Sequence, residues 1–70
     1  MHLPEIATEG VIFSESPCGG TLEVARVHDD DGERIALFMS EGRGDDANHS
    51  TIELTRDQAV QLIEMVLAAV

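Results

Sequence analysis

Apolar and polar positions follow a short, near-alternating rhythm over the first three quarters of the chain, then change period. Val11, Ile12 and Phe13 open a β-branched and aromatic run over residues 11–15, ended by the breakers Ser16-Pro17-Cys18-Gly19-Gly20. Residues 21–28 and 33–40 read as a second and a third strand, joined by Asp29-Asp30-Asp31-Gly32. Asp-Gly between two such runs is a strong hairpin signal, because glycine accepts the positive φ that a tight turn requires. Upstream, residues 1–10 hold Pro4 and Gly10 with only Leu3 and Ile6 as spaced anchors, and read as an N-terminal arm.

The hairpin admits two registers. A two-residue turn at Asp31-Gly32 sets Val24 opposite Met39, whereas a three-residue turn sets Ala25 opposite Leu37 and Val27 opposite Ile35. In both, Ile35, Leu37 and Met39 share one face of the third strand while Ala36 and Phe38 share the other. A half-solvated antiparallel strand alternates apolar with polar, so a strand apolar on both sides is expected to be central or covered twice. Residues 41–50 form a polar connection, and residues 51–54 resume alternation as a fourth strand with Ile52 and Leu54 on its apolar face.

From Thr55 the period becomes helical. Thr55 and Gln58 spell a Thr-x-x-Gln capping box, and Asp57 suits the positive end of the helix dipole. The pattern predicts an amphipathic helix over 55–70. Between Ala59 and Val70 only Gln61 and Glu64 are polar. At 100° per residue the large apolar side chains sweep roughly 220° of the wheel, against the ~100° one core contact needs. One sheet cannot cover that arc, so self-association is expected, with Val60, Ile63, Val66, Leu67 and Val70 as the interface. The fold class is therefore α+β, a four-stranded antiparallel sheet followed by one C-terminal amphipathic helix (ββββα). It forms one small domain over 1–70, with an arm at 1–10, strands within 11–54 and the helix at 55–70.

Composition sharpens the expectation of a dimer. Seventy residues bury only about 60% of the surface their unfolded chain exposes, which leaves a small core. Cys18 is the single cysteine, so no disulfide closes within the chain, and a reducing, cytoplasmic setting is expected. Met1-His2-Leu3-Pro4-Glu5 lacks the charged and apolar regions of a signal peptide, and no apolar run reaches the ~20 residues of a membrane span. Fourteen acids stand against four arginines, Arg26, Arg34, Arg43 and Arg56, with no lysine, for a net charge of −10. Bare phosphate is repelled by such a surface, and no basic stripe is present, so direct nucleic-acid binding is not expected. A basic protein partner is. The candidate patch is Asp29, Asp30, Asp31, Glu33, Asp45 and Asp46, which otherwise serves solubility alone.

Candidate chemistry adds little. A Cys18 thiol with His2, His28 or His49 as base has no signature spacing, and a turn explains the adjacent glycines. Two groups could face a cation, His28-Asp29-Asp30-Asp31-Glu33 and Asp45-Asp46 with Asn48-His49. The first lacks the alternating pattern of an EF-hand loop and the second a spaced partner histidine, and Asp and Asn favour turns on backbone grounds. Arg43-Gly44-Asp45 matches an integrin-recognised tripeptide by chance, and Gly42-Arg43-Gly44 lacks the spacing and lysine of a phosphate loop. With Phe13 and Phe38 as the only aromatics, base stacking has little material. No catalytic residue, metal or cofactor is expected.

The order strand, hairpin, long connection, strand and capped helix over residues 11–70 resembles the PC4-like transcriptional coactivators, dimers that bind single-stranded DNA. The junction Thr51-Ile52-Glu53-Leu54-Thr55-Arg56-Asp57-Gln58 carries that resemblance. It implies the topology and a dimer, while the strands lack the basic and aromatic residues that grip DNA. Small phage-encoded inhibitors that imitate DNA are similar in size and charge. Three functions therefore compete: an acidic, dimeric binding or regulatory protein for a basic surface; a PC4-like single-strand binder; and a small enzyme with its site at the dimer interface.

Overall fold

The computed structural model describes residues 5–15, 17–42 and 47–70. Four strands, β1 (Glu5–Phe13), β2 (Gly20–Asp29), β3 (Gly32–Glu41) and β4 (Asn48–Leu54), make one antiparallel sheet in the order β1-β2-β3-β4, and helix α1 (Arg56–Ala69) follows. This is the ββββα architecture expected, with the twice-apolar β3 in a central position.

The arm expected over 1–10 is corrected. Residues 5–10 belong to β1, and residues 1–4 lie outside the described residues. Gly10 does not end the strand. It sits at a register shift between Thr8 and Gly10, where a bulge places Glu9 out of the pairing with β2.

The hairpin register also differs from both expectations. Asp29 pairs with Gly32, so the tip is Asp30-Asp31, and Val24 stands opposite Leu37, Ala25 opposite Ala36 and Arg26 opposite Ile35. No non-glycine residue among those described has a positive φ, whereas Gly32 has φ 107°, so the glycine serves as the first strand residue beyond the tip. The Asp31 N–H donates to Asp29 Oδ1 at 2.9 Å, an Asx turn that holds the tip one residue earlier than the Asp-Gly signal suggests. Relative to the first register the pairing slides by two residues, which preserves the faces.

One face carries Ile12, Leu22, Val24, Ile35, Leu37, Met39, Ile52 and Leu54, and is called the apolar face below. The opposite, mixed face carries Ile6, Thr8, Val11, Phe13, Glu23, Ala25, Val27, Asp29, Arg34, Ala36, Phe38 and Glu53, with Ile6, Val11 and Phe13 exposed along β1. The core residues among those described, Ala25, Val27 and Ala36, all lie on the mixed face. They are small, and longer neighbours cover them: the Thr8 hydroxyl donates to Glu23 Oε2 beside Ala25, and the Arg34 stem stands opposite Val27.

The helix begins as the sequence predicts. The Thr55 hydroxyl accepts from the Gln58 N–H at 3.2 Å, and Gln58 Oε1 accepts from the Thr55 N–H at 3.0 Å, completing the capping box. Such a cap contributes about 1 kcal/mol. Packing contributes less than usual, because among the described elements α1 approaches only β3 and β4. Ala59 and Leu62 are its half-buried residues, and every other helical side chain is exposed.

The chain is consequently open. It exposes 5833 Å², whereas a compact monomer of 7.6 kDa exposes roughly 4300 Å². Its radius of gyration is 13.7 Å against about 11 Å for a compact chain of this length. Among the described residues no helix is long and apolar enough to cross a membrane.

Candidate interaction surfaces

The acids at the hairpin do not act as one patch, because strand alternation sends them to different faces. Asp29 turns to the mixed face, where Gly32 opposite it has no side chain, and Arg34 reaches across the gap. Arg34 Nη1 and Nη2 meet Asp29 Oδ1 and Oδ2 at 2.9 and 2.6 Å, a bidentate pair, and Arg34 Nε lies 3.4 Å from Glu53 Oε1 on β4. The Arg34 hydrogen bonds, with the Asp31 N–H second, hold the Asp29 carboxyl down at about 2. The same pair raises Arg34 further above its already high ordinary value. Asp29 is thereby spent within the sheet, and Arg34 joins β2, β3 and β4.

A pH dependence follows. Asp29 titrates lower in the folded chain than in the unfolded one, so its contribution is complete above the unfolded value near pH 4. It is lost as pH falls toward about 2. Urea midpoints over a pH series should show Asp29→Asn less stable than the parent at neutral pH, with the two curves converging between roughly pH 4 and 2. Parallel curves would mean that the pair does not stabilise the fold.

Glu33 falls on the apolar side, 3.8 Å from His28 Nδ1, with both side chains well exposed. Asp30 and Asp31 are exposed at the tip itself. Asp45 and Asp46, with Arg43, lie outside the described residues. The cation grouping His28-Asp29-Asp30-Asp31-Glu33 is thus divided between two faces and a tip. Among the described residues no group of three metal-binding side chains converges. His49 stands on β4 opposite Ser40, away from His28, His2 lies outside the described residues, and the Cys18 thiol is free and exposed.

An arrangement that sequence reasoning left open concerns the arginines. A cavity of about 480 Å³ at the hairpin end of the apolar face is lined by Arg26 and Arg56 together with His28, Glu5, Glu33 and Ile35, and also touches Arg34, whose guanidinium is turned to Asp29 on the mixed face. Arg26 Nε lies 2.6 Å from Glu9 Oε1, the residue at the β1 bulge, and Arg34 is committed to Asp29 and Glu53. Among the described residues Arg56 carries no ion pair. The cavity's arginines are therefore largely neutralised. That Arg56 borders a cavity with His28 and Ile35 also places the start of α1 on the apolar side of the sheet.

A second cavity, of about 570 Å³, lies at the other end of that face. Ile12, Leu22 and Met39 line it with Cys18, Gly20 and Ser50. Ile12 and Met39 here, and Ile52 beside them, are 63%, 43% and 49% exposed.

The helix residues expected at an interface stand uncovered in the single chain. Val60, Ile63, Val66 and Leu67 are all exposed, and Val70 is 99% exposed. On the helical wheel Ala59 and Leu62 lie to one side, and Val60, Ile63 and Leu67 to the other. The first flank meets the chain's own sheet, and the second meets nothing in it. No family model, curated protein or solved structure matches the chain.

Proposed function

We propose that this chain is a non-enzymatic binding protein that works as a homodimer and offers an acidic surface to a basic protein partner. The observation that carries the reading is where the acids stand once the ion pairs are drawn. The arginines Arg26 and Arg34 consume Glu9, Asp29 and Glu53, while Asp30, Asp31 and Glu33 project from one end of the sheet. The hairpin tip is a rigid, anionic prow, because the Asx bond and the Arg34 pair fix the turn that presents it. Association through such a tip is steered by charge and screened by salt. The dimeric part is supported by the exposed α1 and by the large surface of the single chain.

The test is to titrate the protein with a basic nucleic-acid-binding enzyme, following complex formation and inhibition. A complex is expected at roughly 20 mM salt and its loss by roughly 0.5 M, where screening shortens to a few ångströms. The double variant Asp30→Asn, Asp31→Asn should weaken it at low salt. Absence of a salt-dependent complex removes the reading.

A second reading, a single-strand binder, is favoured by Arg26 and Arg56 bordering one cavity. The ion pair of Arg26 with Glu9 and the turning of Arg34 to the other face weigh against it. Fluorescence anisotropy with a labelled single strand at low salt decides, and no binding there ends it.

A further inference from the structure

We infer that the apolar sheet face of one copy receives the C-terminal half of α1 from a second copy, in a two-fold symmetric dimer. This rests on the dimeric part of the reading above and deepens it; binding of a basic partner is independent of it.

The amount of bare surface identifies the occupant. The chain's 5833 Å² exceeds the compact expectation by roughly 1500 Å², while a standard interface takes about 800 Å² from each partner. Closing the excess on two copies gives a total within the range of obligate homodimers, which bury ~2000 Å² or more. A small ligand or short peptide would leave most of it open.

The two bare surfaces are complementary in kind. One is a convex helical stripe, Val60, Ile63 and Leu67, exposed on the flank of α1 turned from its own sheet; the other is the concave end of the apolar face around Ile12, Leu22 and Met39. Both belong to every copy, so a two-fold axis satisfies both pairs at once, as an isologous contact requires. A helix-to-helix dimer would cover the stripe and leave the cavity at Ile12, Leu22 and Met39 open to water. Charge permits the contact despite the −10 on each chain. The stripe and Ile12, Leu22 and Met39 are uncharged, and the acids fall at the rim of the contact. Glu41 lines the cavity beside them, and Asp57, Gln61 and Glu64 lie roughly 90° round the wheel from the stripe, with Glu64 bordering Val60.

Directed disulfide formation tests the geometry. In a Cys18→Ser background, one preparation carries Leu67→Cys and another Met39→Cys; they are mixed and oxidised mildly at micromolar concentration. The mixed covalent dimer should form at least about tenfold faster than in a control mixture with Thr51→Cys, which sits on the mixed face, because the contact raises the local thiol concentration. A predominance of the Leu67→Cys homodimer would overturn the arrangement in favour of helix pairing. Light scattering on the unmodified protein provides the second measurement: a monomer at high micromolar concentration overturns the dimer outright. Salt separates the two readings. Screening relieves repulsion between two acidic copies and should tighten the dimer, while it weakens a complex with a basic partner.

Discussion

Gly20→Ala should leave the chain largely without its native sheet. A Cβ at this position would stand 2.3 Å from the Ser40 carbonyl oxygen and 3.3 Å from Glu41 Cα, and both are backbone atoms of the central strand β3. Neither can swing aside as a side-chain tip can. The residue also has φ 136°, a conformation L side chains rarely adopt, at a cost of about 1–3 kcal/mol before the clash is counted. Its own carbonyl accepts from the Ser14 N–H at 2.9 Å, so a shift of Gly20 loosens the β1–β2 connection as well. A chain of this length has a total stability of roughly 4–10 kcal/mol, and the combined loss takes a large fraction of it. Urea melts followed by far-ultraviolet circular dichroism should show a midpoint lowered by half or more, or no transition. Gly10→Ala is the contrast. Nothing lies within 4 Å of its Cβ and its φ is not in the positive region. It should be neutral or stabilising by about 0.4–1 kcal/mol through the unfolded chain. Equal midpoints for the two variants would refute the close approach at Gly20.

That glycine was legible in the sequence only as one of a string of breakers, and the difference shows what sequence alone can carry here. The capping box at Thr55 and Gln58 depends on residues three apart, so the pattern and the structure agree at the level of single hydrogen bonds. The centrality of β3 was legible too, because apolar residues on both faces leave little alternative. The hairpin register was not. It depends on the Asx bond from Asp31 to Asp29, which competes with the preference of Asp-Gly for the turn itself. The length of β1 was hidden because Pro4 and Gly10 signal interruption equally well at an arm or at a bulge.

The candidate surfaces divide along the same line. The breadth of the apolar arc on α1 follows from helical periodicity, whereas which flank its own sheet leaves bare does not. The removal of Asp29 from the acidic patch does not, since Arg34 meets Asp29, and Glu53 on its other side, only through cross-strand adjacency. The signal was present in a weak form: Asp29 and Arg34 flank a glycine that leaves the space between them unfilled. The meeting of Arg26 and Arg56 at one cavity likewise requires the register to be known first, because a one-residue slip would send Arg26 to the mixed face.

Leu67→Asp is expected to have the largest effect on assembly. Leu67 is 70% exposed in the single chain, and a substitution at a surface position of this kind ordinarily changes stability by no more than about 0.5 kcal/mol. If the stripe is buried against a second copy, the same change moves a carboxylate into an apolar contact, at a cost of several kcal/mol. Each 1.4 kcal/mol is a factor of ten, so dissociation should strengthen by at least about a hundredfold. Leu67→Ala removes the apolar contact without adding charge and should lose about 1.5–3 kcal/mol, or roughly ten- to a hundredfold. Sedimentation equilibrium over a range of concentrations, paired with thermal melts, separates assembly from folding. A dimeric parent has a melting temperature that rises with concentration, and the aspartate variant should lose that dependence along with its mass. Because the buried side chains among the described residues of one copy are small, the released monomer should also melt at a lower temperature than the dimer. Retention of parental mass and melting by Leu67→Asp would show that the helix stripe stays in water, and that the excess surface of the chain is closed elsewhere.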